Sequence, residues 1–255
     1  MLSRTSISGV TGLCAILVGV AALTACAGPH ERRNLGLFST LPIYWGEVAS
    51  IDDMLAPAEE PHWAKTSLAK EFDLVPLDAL IAEGEDSGSL QQFGHLILAQ
   101  PRALSAAENV ALDNWVRRGG KVLIFADPML TRHSRFSIGD RRRAQDVVML
   151  SPILRRWGLE LQFDDSEQEG ERNSPIDGIA VPLNLAGSFA LSAVSQDAPS
   201  QCALSADNVL AECRIGDGRA VILADAAVLE VHGQDENRLR AVALEKLVEK
   251  AFDSL

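Results

Sequence analysis

Two aspartates that each follow a buried apolar run are the residues best placed for chemistry in this chain. Asp127 ends the run Ile-Phe-Ala-Asp, and Asp225 ends the run Ile-Leu-Ala-Asp. Proteins of the α/β class keep their sites at the carboxyl ends of parallel strands, so the two carboxylates are candidates for one shared site. An aspartate at a strand end also accepts hydrogen bonds from the turn that follows it. The sequence leaves both interpretations open.

Other catalytic signals are absent from the sequence. It has no glycine-rich phosphate loop, no Gly-x-Ser-x-Gly elbow, and no Cys-x-x-Cys or His-x-x-x-His spacing. Its histidines are scattered, and a net charge of −12 argues against a nucleic-acid partner. We expect no metal, no cofactor and no enzymatic activity. The alternative is a hydrolase or amidotransferase-like enzyme that uses Asp127 with a nearby histidine.

The N-terminus has the pattern of an exported protein. Arg4 precedes an apolar run over residues 10–25, which is short for a membrane-spanning helix of about 20 residues. The run ends in Leu-Thr-Ala-Cys at residues 23–26, which resembles the lipobox of bacterial lipoproteins. We expect residues 1–25 to be a cleaved signal peptide and Cys26 to carry the lipid. Residues 26–34 would then tether a periplasmic domain to the outer or inner membrane of a Gram-negative bacterium.

The remaining cysteines, Cys202 and Cys213, form an even pair in a chain expected to enter an oxidising compartment. Strand-like runs surround Asp207 and Asn208, so the two thiols could face each other across a hairpin. We expect a disulfide, and the alternative is two unpaired buried thiols.

A strand–helix–strand unit over residues 95–128 organises the chain. Residues 95–100 and 121–126 are short apolar runs of the kind buried on both faces of a parallel sheet. Between them, Ser105 and Glu108 form a capping-box pattern that starts a helix, and Gly119 with Gly120 ends it. The pattern predicts a parallel α/β sheet.

Two loops next to the predicted strands have unusual composition. A first strand over residues 34–40 runs into a loop with Pro42, Tyr44 and Trp45, which either opens a ligand crevice or covers the end of the core. The loop after Asp127 has five arginines within a span of twelve residues, which are Arg132, Arg135, Arg141, Arg142 and Arg143. They form either an anion or docking patch or a solvated loop. In the second case we expect them to pair with acidic neighbours, which are Asp127, Asp140 and Asp146.

The C-terminal part is predicted to be rich in antiparallel β-structure over residues 166–215. A buried strand over residues 219–224 follows, and then a helix over residues 235–252. One face of this helix is expected to be apolar. Its residues are Leu239, Val242, Ala243, Leu247, Val248 and Phe252.

Three segments give the chain a family resemblance. The runs LILAQP, LSAAENVALDNWVRRGGKVLIFADP and LSPILRRWGLELQFD resemble the auxiliary components of uncharacterised, gliding-motility-type ABC transport systems. The resemblance implies a flavodoxin-like sheet, similar to class I glutamine amidotransferases but without their catalytic cysteine. It also implies an extracytoplasmic domain beside an ABC permease and its ATPase. Members of that family are usually anchored by transmembrane helices, for which a lipid on Cys26 would substitute.

We therefore expect one α/β domain over residues 35–255, with residues 166–215 as a β-rich insertion. The expected function is that of a non-enzymatic lipoprotein in an ABC-type transport system, and a structural envelope-tethering protein is a further alternative. The expected ligand or partner site lies at the carboxyl ends of the strands. Its residues are Thr40, Pro42, Tyr44, Trp45, Gln100, Arg102, Asp127 and Asp225.

Overall fold

A computed structural model describes residues 32–48, 50, 51, 55, 60–81, 88–193 and 199–253 of the chain. Cys26 and the expected signal peptide lie outside these residues, so their assignment stays a prediction. All described residues except Arg32 belong to one compact unit, Arg33–Leu255. No helix in this described part is long and apolar enough to cross a bilayer.

The strands carry the core of the molecule. In chain order they are β1 (Arg33–Ser39), β2 (Phe72–Leu77), β3 (His95–Ala99), β4 (Lys121–Phe125), β5 (Leu159–Gln162), β6 (Arg172–Ile176), β7 (Ile179–Leu183), β8 (Ser188–Leu191), β9 (Ser200–Ser205), β10 (Leu210–Ile215) and β11 (Gly218–Leu223). The helices are α1 (Trp63–Leu68), α2 (Ala106–Arg117), α3 (Ser151–Arg156) and α4 (Gln234–Phe252).

The central sheet has seven strands in the order β2-β1-β3-β4-β11-β10-β9. Strands β2, β1, β3, β4 and β11 are parallel, whereas β10 and β9 run antiparallel. Strands β5 and β8 form a two-stranded antiparallel sheet, and β6 and β7 form another. The structure is therefore mixed α/β with a mostly parallel sheet. Residues 166–215 supply β6 to β10, and the last two of these strands extend the central sheet.

Helices cover both faces of the sheet. The connection from β1 to β2 and the connection from β3 to β4 run in opposite directions along the strand order. Because crossovers between parallel strands are right-handed, α1 and α2 lie on opposite faces. Helix α4 packs against α1, and α3 packs against α2, so each face has two helices.

The start and end of α2 follow from its sequence. The Ser105 side chain accepts a hydrogen bond from the Glu108 N–H, and the Glu108 carboxylate accepts one from the Ser105 N–H, which confirms the capping box. Gly119 follows the helix with φ of 102°, a conformation that disfavours other residues. At Gly120 a Cβ atom would lie 2.4 Å from the ring of Trp115, so only glycine fits beneath this buried indole.

The apolar face expected for α4 is partly wrong. Leu239 is 71% exposed and Val242 is 48% exposed, whereas the side chain of Arg240 is buried. Its guanidinium donates hydrogen bonds to the Ala227 carbonyl and to the Glu171 carboxylate. The helix turns this arginine inward because partners from two other segments satisfy its charge and its donors.

The disulfide is confirmed. Cys202 in β9 and Cys213 in β10 are directly opposite each other in the antiparallel register, with Cα atoms 4.0 Å apart, and their sulfurs are bonded. Three consecutive residues in the connecting turn have left-handed backbone, with φ of 51°, 55° and 66°. Two of them are Asp207 and Asn208, residue types that tolerate this conformation.

Candidate functional site

The carboxyl ends of β1, β3, β4 and β11 meet at one edge of the sheet, which we call the carboxyl edge. Thr40, Gln100, Asp127 and Asp225 lie at this edge just after the four strands. Strand β2 lies on one side of β1 and strand β3 on the other, so the strand order reverses its direction at β1. Crevices at such switch points hold the ligands of many α/β proteins.

Gln100 is fully buried and joins three segments of the carboxyl edge. Its side-chain N–H groups donate to the carbonyl oxygens of Asp127 (3.0 Å) and Gln145 (2.8 Å), and its Oε1 accepts from the Asp127 N–H (2.9 Å). The Thr40 hydroxyl donates to the Gln100 carbonyl and accepts from the Gln145 N–H at 3.1 Å. The amide of Gln100 therefore has a partner for each of its donors and for its oxygen. Gln100 thus links the segment after β3 to the segments that carry Asp127 and Gln145.

The Asp127 carboxylate is buried and caps two turns. Its Oδ1 accepts from the Met129 N–H at 2.8 Å, and its Oδ2 accepts from the Ala226 N–H at 3.2 Å. Asp225 is equally buried. Its Oδ1 accepts from the Ala227 N–H at 2.5 Å, and its Oδ2 accepts from the Asn184 N–H at 2.8 Å. The geometry matches the capping interpretation, and a binding role for either carboxylate stays a prediction.

Burial makes both carboxyls hard to ionise. It raises the pKa of Asp127 to about 7, and the negative charge of Glu230 adds to this effect, while the hydrogen bonds from Met129 and Ala226 oppose it. Burial also raises the pKa of Asp225 well above its usual value, and the nearby charge of Asp127 raises it further. At neutral pH this edge therefore carries less negative charge than its residues suggest.

The guanidinium of Arg102 is hydrogen-bonded to other residues of the chain. Its guanidinium donates to both oxygens of Glu108 (2.7 and 2.9 Å) and to the Asp78 carbonyl (2.9 Å), and it lies 5.0 Å from the centre of the Phe38 ring. Burial opposes ionisation of Glu108, yet the hydrogen bonds from Arg102 and from backbone N–H groups lower its pKa to about 2. This ion pair attaches the loop before α2 to the end of β2.

An open cavity of about 300 Å³ lies at the carboxyl edge beside β1. It brings together four of the residues expected at the site, which are Thr40, Pro42, Tyr44 and Trp45. The remaining walls include Glu47, Asp78, Phe136 and Arg142. The structure thus separates the expected site into two groups. The residues that line this cavity are half-buried except for the exposed Trp45, whereas Gln100, Asp127 and Asp225 are buried and support the strand ends.

The two aromatic residues are held at the cavity by a lysine. The rings of Tyr44 and Trp45 meet edge to face, with centroids 4.7 Å apart. The Lys65 ammonium lies 4.0 Å from the centre of the Tyr44 ring and donates to the Tyr44 carbonyl at 3.1 Å. The side chain of Trp45 remains 69% exposed. A fixed and exposed indole of this kind is typical of a contact surface.

Glu47 is a residue of this site that sequence reasoning missed. Its carboxylate accepts from the guanidinium of Arg132 at 2.7 Å, the hydroxyl of Ser134 at 3.0 Å and the N–H of Arg135 at 2.8 Å. Although burial opposes ionisation, these hydrogen bonds lower the pKa of Glu47. The acid follows the aromatic loop directly, yet its partners lie more than eighty residues away in the sequence.

Two of the five arginines pair with acids of the arginine-rich loop itself. Arg142 binds Asp140 at 2.8 Å, and Arg143 binds Asp146 at 2.9 Å, as the solvated-loop interpretation predicts. The expected pairing of an arginine with Asp127 is wrong, because both Asp127 oxygens accept backbone N–H groups. Asp127 is buried beneath the turns that it caps, so its carboxylate is bonded to their backbone and to no arginine of this loop.

Exposed apolar side chains lie on the two loops that line the cavity. Trp45, Val48 and Ile138 are 69%, 43% and 88% exposed, and we call these three residues the edge surface. The guanidinium of Arg142 joins the two loops that carry them, since it lies 4.3 Å from the centre of the Phe136 ring and donates to the Val48 carbonyl at 3.4 Å. Apolar residues clustered on a polar rim are common at sites of protein–protein contact.

Comparison with solved structures gives distant similarities. The mmIFT52 N-terminal domain is 14% identical, with a TM-score of 0.48 over 88% of this chain and 100% of that domain. Gan42B, a GH42 β-galactosidase from G. stearothermophilus, is 11% identical, with a TM-score of 0.47 over 86% of this chain. The chain spans only 30% of that enzyme. Cytoplasmic protein STM3548 from Salmonella typhimurium is 12% identical, with a TM-score of 0.44 over 84% of this chain and 97% of that protein.

Family membership rests on the sequence match. No curated protein matches the chain. The model of the family described as "ABC-type uncharacterized transport system" matches residues 32–176, which include β1 to β6 and helices α1 to α3. Because this match covers more than half of the sequence, the chain belongs to that family of auxiliary components of ABC-type transport systems.

Proposed function

We propose that the protein is a non-enzymatic, extracytoplasmic lipoprotein that serves as a binding component of an ABC-type transport system. It would work beside the permease and the ATPase of that system. The observation that carries this proposal is the family match together with the carboxyl edge, where Trp45, Val48 and Ile138 expose apolar side chains. Such groups suit the recognition of a partner.

The hydrogen bonding of the carboxyl edge supports a binding role over catalysis. All four carboxylate oxygens of Asp127 and Asp225 accept backbone N–H groups, and the amide of Gln100 is equally occupied. A general base must also come within hydrogen-bond reach of a substrate, whereas Asp127 and Asp225 are only 1% and 0% exposed. Here the polar groups stabilise the strand ends and the turns after them.

Two finer parts of the proposal rest on the sequence. The lipobox-like residues 23–26 support a lipid on Cys26 and a periplasmic location. The resemblance to gliding-motility systems supports an amidotransferase-like domain with a flavodoxin-like core. The five parallel strands have the order 2-1-3-4-5 when they are numbered along the chain, which is the flavodoxin order.

We propose that the edge surface contacts a subunit of the transporter. A photo-crosslinking residue placed at Ile138 in the full chain, in native membranes, tests this contact directly. The matched control is Val110, which is 60% exposed but lies on α2 away from the edge surface. We expect permease adducts at position 138 and none at 110, because the ATPase lies on the other side of the membrane. Equal adducts at both positions, or adducts at neither, would contradict the proposed contact.

A hydrolase that uses Asp127 is the second candidate, favoured by the pKa near 7 that burial gives this carboxyl. A screen with acyl and amide substrates would detect it. Turnover that disappears on Asp127→Asn, while the variant keeps its native fold by circular dichroism, would support the enzyme and count against a purely binding role.

A further inference from the structure

Glu47 lies where the two loops that carry the edge surface meet. It belongs to the loop after β1, two residues after Trp45 and one residue before Val48, and its side chain is only 9% exposed. The three donors that bind its carboxylate all come from the arginine-rich loop, which carries Ile138. Because its side chain is enclosed, Glu47 offers little surface to a partner. It can, however, fix the exposed residues on either side.

A chain of hydrogen bonds leads from Glu47 to the wall of the cavity beside β1. The Ser134 hydroxyl donates to the Glu47 carboxylate at 3.0 Å and accepts from the Phe136 N–H at 3.1 Å. Phe136 is buried and lines that cavity. Over its ring lies the guanidinium of Arg142, which also donates to the Val48 carbonyl. The two loops are therefore joined twice, once through Glu47 and once through Arg142.

Ile138 lies on a turn that is fixed to the same contacts. The Asp140 N–H donates to the Ser137 carbonyl at 3.1 Å, which closes the turn around this isoleucine. The guanidinium of Arg143 donates to the Phe136 carbonyl at 3.0 Å and so connects the two ends of the turn. The exposed isoleucine therefore projects from backbone that is held in place, and its distance from the loop after β1 depends on the contacts between the loops.

We propose that Glu47 is a positioning residue for the contact with the transporter subunit. It holds the loop after β1 at a fixed distance from Ile138, so that a partner meets one preformed surface. This inference rests on the proposed function, because it concerns the same edge surface. A preformed surface loses less conformational entropy on binding than two separately moving loops. Glu47 acts through Trp45 and Val48 and makes no contact with the partner itself.

Hydrogen exchange of the purified full chain tests the positioning without any transporter. Glu47→Gln keeps the size of the side chain and removes its charge. We expect it to speed exchange at the N–H groups of Arg135 and Phe136 about ten-fold, the effect of losing a charge-assisted hydrogen bond. The matched control is Glu167→Gln, since Glu167 pairs with Arg172 at 2.9 Å away from the edge surface, and it should leave both rates unchanged. Unchanged rates in Glu47→Gln would overturn the proposal.

Photo-crosslinking from position 138 in native membranes connects the positioning to the partner. Glu47→Gln and Arg132→Met each remove the ion pair between the loops, so each should lower the yield of permease adduct per copy of the protein by up to about ten-fold. Arg132→Lys keeps the cation and should retain most of the yield. The double variant Glu47→Gln, Arg132→Met should fall no further than the weaker of the two single variants, because both act on one contact.

A further control separates positioning from a general loss of stability. The double variant Cys202→Ala, Cys213→Ala lacks the disulfide of the hairpin, which lies outside the edge surface, and should keep the full adduct yield. A full yield in Glu47→Gln would overturn the positioning role alone, and Arg132→Met gives the same test if Glu47→Gln fails to fold. No adduct from any chain, the native sequence included, would contradict the proposed contact and this inference with it.

Discussion

Asp127 shows how one buried group can shape the pH response of the molecule. Its folded-state pKa of about 7 lies above the usual value of 3.8, so the folded state binds the proton more tightly than the unfolded state. The stability that this group contributes is therefore fully present below about pH 4. It is lost as the pH rises toward 7.

We expect Asp127→Asn to lower the free energy of unfolding most at pH 4.5, and the loss to shrink toward pH 8. The amide of asparagine has one acceptor oxygen where the carboxylate has two, but the substitution also removes the cost of burying a charge at high pH. Urea unfolding at several pH values measures the difference. Asp235→Asn, at a side chain that is 95% exposed, is the control. A loss that is independent of pH would contradict the raised pKa.

His62 responds to pH in the opposite direction. Burial lowers its pKa to about 4, the positive charge of Arg132 lowers it further, and a hydrogen bond with the Leu229 backbone opposes both. Its Nδ1 accepts a hydrogen bond from the Ala64 N–H at 3.1 Å, which caps α1 and requires the unprotonated nitrogen. The stability from this group is present above pH 6.5 and is lost as the pH falls toward 4.

We expect His62→Asn to reduce the acid-induced loss of stability between pH 6.5 and 4, since asparagine can cap the helix without titrating. Thermal unfolding at pH 7 and pH 4.5 gives the comparison. The same substitution at His133 is the control. If His62→Asn left the difference between the two pH values unchanged, the cap would not depend on the charge of the ring.

At the scale of elements, the disulfide closes a hairpin at the end of the sheet. Strand β9 is the last strand in the order and has a neighbour only in β10, so the bond between Cys202 and Cys213 secures it. We expect Cys202→Ala with Cys213→Ala to lower the free energy of unfolding by about 2–3 kcal/mol, the loop-closure value for a loop of this length. Urea unfolding with and without a reducing agent measures it. A reducing agent that destabilised the double variant as much as the native chain would contradict this explanation.

Local signals predicted most elements but not the contacts between them. The apolar runs and the capping box gave β3, α2 and β4 nearly at their observed bounds, because these features depend on neighbouring residues. The burial of Arg240 and the exposure of Leu239 depend on which segment packs against α4. The spacing of apolar residues within the helix does not show which segment will pack against it.

The candidate site shows the same contrast between local signals, which the sequence contains, and contacts between distant segments, which it does not. Strand ends can be located from sequence, so the presence of Asp127, Asp225 and Gln100 at one edge could be expected. Which of these side chains face solvent could not be predicted, because their burial depends on hydrogen bonds to segments that are distant in the sequence. Glu47 and Gln145 were missed for this reason: each contacts residues more than forty positions away.

At the scale of the whole molecule, the sheet presents two different edges. The carboxyl edge has exposed apolar side chains on the loops that line a cavity, and the cavity at the opposite, amino edge has four acidic and two basic residues in its lining. The expected tether, residues 26–34, runs into the first residues of β1, which begins at Arg33. We assign the carboxyl edge to the transporter subunit.

The most direct test of the transport role is recovery of the full-length, tagged protein from crosslinked native membranes, followed by mass spectrometry. We expect an ABC permease and its ATPase to be enriched over a Cys26→Ser control and to be lost with Trp45→Glu, which places a charge on the edge surface. Leu239→Glu, at an equally exposed residue of α4, is the matched control and should retain both subunits. Recovery of envelope proteins without any transporter subunit would contradict the account and favour a tethering role.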